Sequence, residues 1–226
     1  VITKFWDELV TGADGKYGLR DKLYEREEFG DFVISTNSPY GVCSFERVQF
    51  VDCAISNRRI SVYGPSVLTD VAFLNVRCDI YTFFADNHLD NVCIRGGRRS
   101  ILWLRTALDL EAYTDIEGRR LRHPKSRDGI CLDLSGFLGQ VDILHAEPKS
   151  IRINPEIHVV CERDRLETID WEHDPVLSKT SFGVMLDKAR LSETGVYIGG
   201  IVDKSGKTIP TFDVALKELR RRGLVD

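Results

Sequence analysis

Four six-residue stretches share one order of apolar and unconstrained positions. FERVQF at 45–50, LTDVAF at 68–73, LDNVCI at 89–94 and LGQVDI at 138–143 each begin with a large apolar residue, carry Val fourth and end in Phe or Ile. Apolar residues two apart share one face of an extended strand, because successive side chains alternate. With Val as a ruler, Val48 to Val71 is 23 residues and Val71 to Val92 is 21. Another 21 reaches Tyr113 in LEAYTDI, a degraded copy, and Tyr113 to Val141 is 28. A second marker, a short apolar–x–apolar piece, starts at Ile60, Ile80, Ile101, Ile130 and Ile151, with steps of 20, 21, 29 and 21. Both rulers place an insertion between residues 113 and 130.

A period near 21 built from short strands predicts a β-solenoid. Stacked coils lie about 4.8 Å apart, so like residues line up in columns and bury one another, which no single coil can do. A leucine-rich repeat would instead show LxxLxLxxN, and helical repeats have longer periods. The expected fold is all-β: a right-handed parallel β-solenoid of about six coils, with N- and C-terminal capping helices. The expected domains are an N-terminal cap over 1–31, the solenoid over 32–161 with an insertion at 121–129, and a C-terminal extension over 162–226.

At the N-terminus, Thr3 is placed to cap a helix with Phe5, Trp6, Leu9 and Val10 on its apolar face and Gly12 as its stop. Residues 13–30 show no clean period, and Phe32-Val33-Ile34 reads as the first strand. Near the other end, Thr211 opens a helix with Phe212, Ala215, Leu216 and Leu219 on one face, Arg220 to Arg222 in its last turn and Gly223 beyond. That helix is expected to cap the solenoid or to pair with a second copy. Residues 162–180 read as a charged loop, and Val184-Met185-Leu186 and Val196-Tyr197-Ile198 as strands of a last coil or of a small β unit.

Within the first full coil, Cys43 and Phe45, Val48 and Phe50, and Cys53 and Ile55 form apolar pairs repeating every five residues. Over 43–55 this resembles the pentapeptide-repeat family. The following coil has Val71 and Phe73, then Cys78 and Ile80, a step of seven. The resemblance implies square coils with a central large residue and a small preceding residue pointing inward. It also implies non-catalytic proteins that bind a macromolecule, some as inhibitors or protectors of a target enzyme, and some dimeric through a terminal helix.

The net charge of −4 makes no overall electrostatic case for nucleic acid. Six cysteines without a CxxC or a Cys/His cluster argue against zinc and read as reduced thiols in a cytoplasmic protein. No apolar run of about 18 residues is present, and no charged and apolar leader is visible at the start. No cofactor or metal is expected.

Two basic features suggest a binding surface. Arg58 and Arg59, Arg98 and Arg99, and Arg119 and Arg120 stand 40 and then 21 residues apart, with Arg77 between, so a column of guanidinium groups is expected at one corner. Such forks hold carboxylates or phosphates through two oxygens. The insertion adds Arg122, His123, Lys125 and Arg127 against the acid Asp128. A solvated corner and a solvated loop are the plainer readings of the same residues. The expected function is a cytoplasmic, non-catalytic interaction protein whose partner is a protein or another polyanion. The alternative is a carbohydrate-active β-helix enzyme using Asp109, Glu111 and Asp133, with Asp115 and Glu117 nearby. His88 and His145 have no evident partner in the sequence, and GxSxG, HExxH and P-loop motifs are absent.

Overall fold

The structure is a computed structural model that describes residues 5–11, 17–34, 43–62, 66–84, 87–105, 112–114, 120–122, 130–144 and 147–225. Successive coils pair in parallel and form a β-solenoid. The first sheet runs through Tyr17–Glu25, Cys43–Val51, Val67–Leu74, Val92–Arg95, Leu132–Asp133 and Ile151–Arg152, with His88–Asp90 sharing the level of Val92–Arg95. The second runs through Phe32–Ile34, Arg59–Val62, Ile80–Phe84, Ile101–Arg105 and Gln140–Leu144. A narrow third side is held by Glu28–Phe29 beside Ala54–Ile55 and by single bridges from Ala54 to Arg77 and from Gly96 to Phe137. Both sheets are present at five levels, so about four turns of chain separate the first from the last, fewer than six coils.

The repeated phrase is explained by the core. Phe45 pairs in register with Leu68 and Leu68 with Leu89, Val48 with Val71, and Phe50 with Phe73 and then Ile94. All are buried. In the second sheet, Phe32, Ile60, Tyr81, Leu102 and Val141 form one such column. Tyr24, Phe50 and Phe73 stack face to face, with centroids 5.2 and 5.1 Å apart. The five-residue spacing persists beyond residue 55. Val71 with Phe73, Val76 with Cys78, and Tyr81 with Phe83 all point inward, whereas Ile80 is only half-buried. The step of seven is therefore a mispairing of Cys78 with Ile80.

One position of the phrase that looks unconstrained in sequence is held by the backbone. The residue before Val, or before Lys22 in its place, has positive φ at the first four levels: Asp21 54°, Arg47 54°, Asp70 54° and Asn91 52°. Five residues on, Arg26, Asp52, Asn75 and Gly96 repeat it. This left-handed conformation turns the coil corner, and Asn, Asp and Gly tolerate it best. Neighbouring corners are also linked: Asn91 Nδ2 donates to Asp70 Oδ1 at 2.6 Å and Asn75 Nδ2 to Asp52 Oδ1 at 3.3 Å.

Several expectations are corrected. The solenoid begins at Tyr17, not at 32: Leu19 and Tyr24 pair in register with Phe45 and Phe50, and Phe29 with Ile55. Exposed Lys22 takes the place of Val in that coil and hides the pattern. The N-terminal element is a 3-10 turn, Phe5–Glu8, followed by Val10–Thr11, which pairs antiparallel with Tyr17 and Gly18. Thr3 and Gly12 lie outside the described residues. The degraded copy around Tyr113 is not a coil. Ala112–Thr114 pairs antiparallel with Arg120–Arg122 as a hairpin, and the first sheet resumes where Leu132 pairs with Val92. The fourth phrase belongs to the other sheet, where Val141 pairs with Leu102.

Beyond Arg152 the chain builds a mixed unit on the last coil. His158–Glu162 and Val196–Gly200 pair antiparallel, and Val196–Gly200 also closes the edge of Gln140–Leu144. Three helices accompany them: α1 (Arg163–Leu166), α2 (Phe182–Leu191) and α3 (Pro210–Arg221). Val184 to Leu186 is thus helical, not a strand. Phe182, Met185, Leu186 and Ala189 follow a helical period and are buried. In α3 the expected face is the buried one, through Ala215, Leu216 and Leu219, and it packs within its own chain. No helix among the described residues is long and apolar enough to cross a membrane.

Candidate functional site

Register decides which arginines meet. Val51 pairs with Leu74, 23 residues on, but Arg59 pairs with Ile80, only 21 on. The stretch between is therefore two residues longer in the earlier coil. Those two residues move Arg58 and Arg59 out of the expected column. Arg59 is level with Ile80 and Ile101, and Arg58 with Asp79 and Ser100, not with Arg98. Arg58 is engaged there: its Nε and Nη2 donate to the Asp79 carboxylate at 2.7 and 2.5 Å. The next step is regular, 21 residues at both Leu74–Arg95 and Ile80–Ile101, so Arg77 and Arg98 fall at matching positions of adjacent levels.

Arg77 bridges to Ala54 between buried Val76 and Cys78, so its side chain points outward. Arg98 and Arg99 occupy the middle of a turn closed by Ser100 N–H donating to Gly97 O at 2.8 Å. All three arginines are exposed, and none has a carboxylate partner among the described residues. The C-terminal unit adds to this corner. Val202 pairs with Thr208, and the hairpin tip between them is held by the Asp203 carboxylate, which accepts from Ser205 N, Ser205 Oγ and Lys207 N at 2.7–3.0 Å. Those bonds, from Ser205 first, lower the pKa of Asp203. The tip rests on the arginine turn: a Cβ on Gly206 would lie 2.5 Å from Arg98 O and 2.6 Å from Arg98 Cγ. Lys204 and Lys207 are exposed on either side. In sequence, Asp203-Lys204-Ser205-Gly206 reads as a turn, but nothing in it signals contact with Arg98, a hundred residues away.

The insertion and the acids give less. Arg120 and Arg122 belong to the hairpin strand opposite Ala112–Thr114, away from the solenoid sheets. Arg119, His123, Lys125, Arg127, Asp109, Glu111, Asp115, Glu117 and His145 lie outside the described residues. Asp133 is level with Cys93 and Arg152, accepts from Ser135 N at 2.9 Å and lies 3.3 Å from Arg152 Nη1. Burial raises its pKa, but Ser135, Arg152 and Arg95 outweigh that and hold it ionised. It is a paired structural carboxylate rather than a raised-pKa acid. His88 is buried, and burial lowers its pKa to about 4.

Other charged groups are engaged structurally. Arg222 binds Asp174 and Glu218, and Arg221 binds Glu218; the Leu177 N–H first and Arg222 second pull Asp174 down to about 2, and Arg221 and Arg222 pull Glu218 down to about 2. Among the described residues no three His, Cys, Asp or Glu side chains gather as metal ligands would. None of the six cysteines forms a disulfide, and burial pushes Cys78 and Cys161 up to about 12. No family model, no curated protein and no solved structure matches the chain.

Proposed function

We propose that this protein is a non-catalytic interaction module that holds a macromolecular partner, a protein in the first instance, against the corner of Arg77, Arg98 and Arg99. One observation carries the reading. Arg58, Arg152, Arg190 and Arg222 each have a carboxylate partner, whereas these three exposed guanidinium groups, like those of Arg26 and Arg59, have none among the described residues, and the three fall together on the later coils. Forks that have no carboxylate partner among the described residues are suited to carboxylates or phosphates of a partner. The solenoid itself reads as a divergent pentapeptide-type coil, supported by the inward pairs that repeat every five residues from Cys43 to Ile55 and again from Val71 to Phe83. Some solenoids of that kind act as inhibitors or protectors of target enzymes, and this chain is proposed to work in the same manner. Thiols without disulfides suit a reducing compartment such as the cytoplasm.

The test is capture of a partner from native lysate by the wild type and by Arg98→Glu/Arg99→Glu, with circular dichroism establishing that both are folded. A partner held by the wild type and lost by the variant is expected. Equal capture by both, or none by either, overturns the reading.

A further inference from the structure

The corner is made by two parts of the chain that the sequence keeps far apart. Arg77, Arg98 and Arg99 come from the solenoid, and Lys204 and Lys207 from a hairpin seated on Arg98. The seat is close enough that only glycine fits at 206, where φ is also +77°. The tip that carries Lys204 and Lys207 thus touches Arg98, and its own carboxylate, Asp203, is occupied by its turn. Asp79, the nearest acid on the solenoid levels involved, is held by Arg58. Leu138, 39% exposed, adds an apolar contact next to the arginine turn, where its N–H donates to Gly96 O at 2.8 Å.

We infer that Lys204 and Lys207 complete, with Arg77, Arg98 and Arg99, a docking site for a short carboxylate-rich protein segment bearing an apolar side chain. This rests on the binding-module reading above and names the partner's chemistry. Toward the first coils the same side carries Glu27, Glu28, Asp31 and Asp52 alongside Arg26, Arg58 and Arg59, of which Arg58 is held by Asp79, so a phosphate backbone laid along the solenoid meets acids there that a compact segment at the later coils does not. Phe137, beside the arginine turn, is fully buried and offers no face on which a base could stack. A compact acidic segment meets the cations without reaching the acidic end, and Leu138 receives its apolar residue.

The experiment uses fluorescence anisotropy with the full chain and three probes: a short Asp/Glu-rich peptide containing one leucine, its Asn/Gln counterpart, and a single-stranded DNA of equal charge. The acidic peptide is expected to bind, its amide counterpart not to bind, and the DNA to bind more weakly than the peptide. Lys204→Glu/Lys207→Glu should weaken peptide binding by about tenfold or more, with an unchanged circular dichroism spectrum. Gly206→Val, which keeps both lysines but displaces the tip, should weaken it several-fold. If Arg98→Glu/Arg99→Glu abolishes binding and both hairpin variants leave it intact, the hairpin has no part in the site; this inference falls while the binding-module reading stands. DNA binding tighter than the peptide overturns the partner's chemistry. Failure of the wild type to bind any probe overturns the inference as well.

Discussion

Arg58 and Asp79 stand 21 residues apart and hold one coil to the next through two hydrogen bonds, at 2.7 and 2.5 Å. The Arg58 hydrogen bond is the main cause of the lowered pKa of Asp79. Both side chains are well exposed, at 62% and 46%, so water screens the pair. Arg58→Ala is therefore expected to leave the urea unfolding midpoint almost unchanged. Arg58→Gly should be milder than Arg58→Ala, because φ is 61° at this residue. A loss of several kcal/mol from Arg58→Ala would show a cooperative role that this geometry does not contain.

The corner conformation makes a sharper prediction at Asn91. Its φ is 52°, and its amide binds Asp70. Asn91→Val should cost about 1–3 kcal/mol, since a β-branched residue is strained there. Asn91→Gly should cost less than 1 kcal/mol, roughly the lost hydrogen bond offset by relief of backbone strain. Equal losses in chemical denaturation would remove backbone conformation as the cause.

Phe50 lies between Tyr24 and Phe73 in the stacked column and is 2% exposed. Phe50→Ala should cost about 3–5 kcal/mol, through lost burial and the cavity left between fixed coils. The measurement is the unfolding midpoint at unchanged denaturant slope. Phe50→Leu, which refills part of the space, should recover a substantial share of the loss.

His158 is fully buried, with Nε2 3.0 Å from Gly139 O and Nδ1 accepting from Asn154 N. Burial lowers its pKa to about 4, against a smaller raising effect of the Gly139 carbonyl. A base whose folded pKa is depressed stabilises the fold fully above its unfolded pKa near 6.5. That contribution is lost as pH falls toward 4, because the unfolded chain takes up a proton that the folded chain does not. The loss is on the order of 3 kcal/mol by pH 4. His158→Gln should flatten the pH dependence between about 6.5 and 4 relative to wild type. Identical slopes would mean that the ring is protonated in the fold.

Much of the fold was legible because columns of stacked coils demand the same residue type at the same place. Phe45, Leu68 and Leu89 are large for that reason, and Val48, Val71 and Val92 are alike for the same one. The fourth phrase misled because the second sheet imposes the same inward–outward alternation, so Val141 satisfies a pattern that belongs to another column. The first coil escaped notice because an end strand faces water on one side, and Lys22 there interrupts the apolar spacing. Val184 to Leu186 shows the ambiguity of a short apolar run, which suits a buried helix as well as a strand.

The site was less legible than the fold. Arg98 and Arg99 were visible as a basic pair, but their supposed alignment with Arg58 and Arg59 depended on a constant coil length. Two additional residues between Val51 and Arg59 remove that alignment and place Asp79 opposite Arg58 instead.

By itself the sequence determined the period, the inward residues of the coils and the buried face of α3, because each follows from local alternation or helical spacing repeated along the chain. Only the tertiary structure decided the register of the corners, the start of the solenoid at Tyr17 and the seating of Gly206 on Arg98. Those depend on how many residues each turn uses and on contacts between distant segments, and neither is encoded in the spacing of apolar residues.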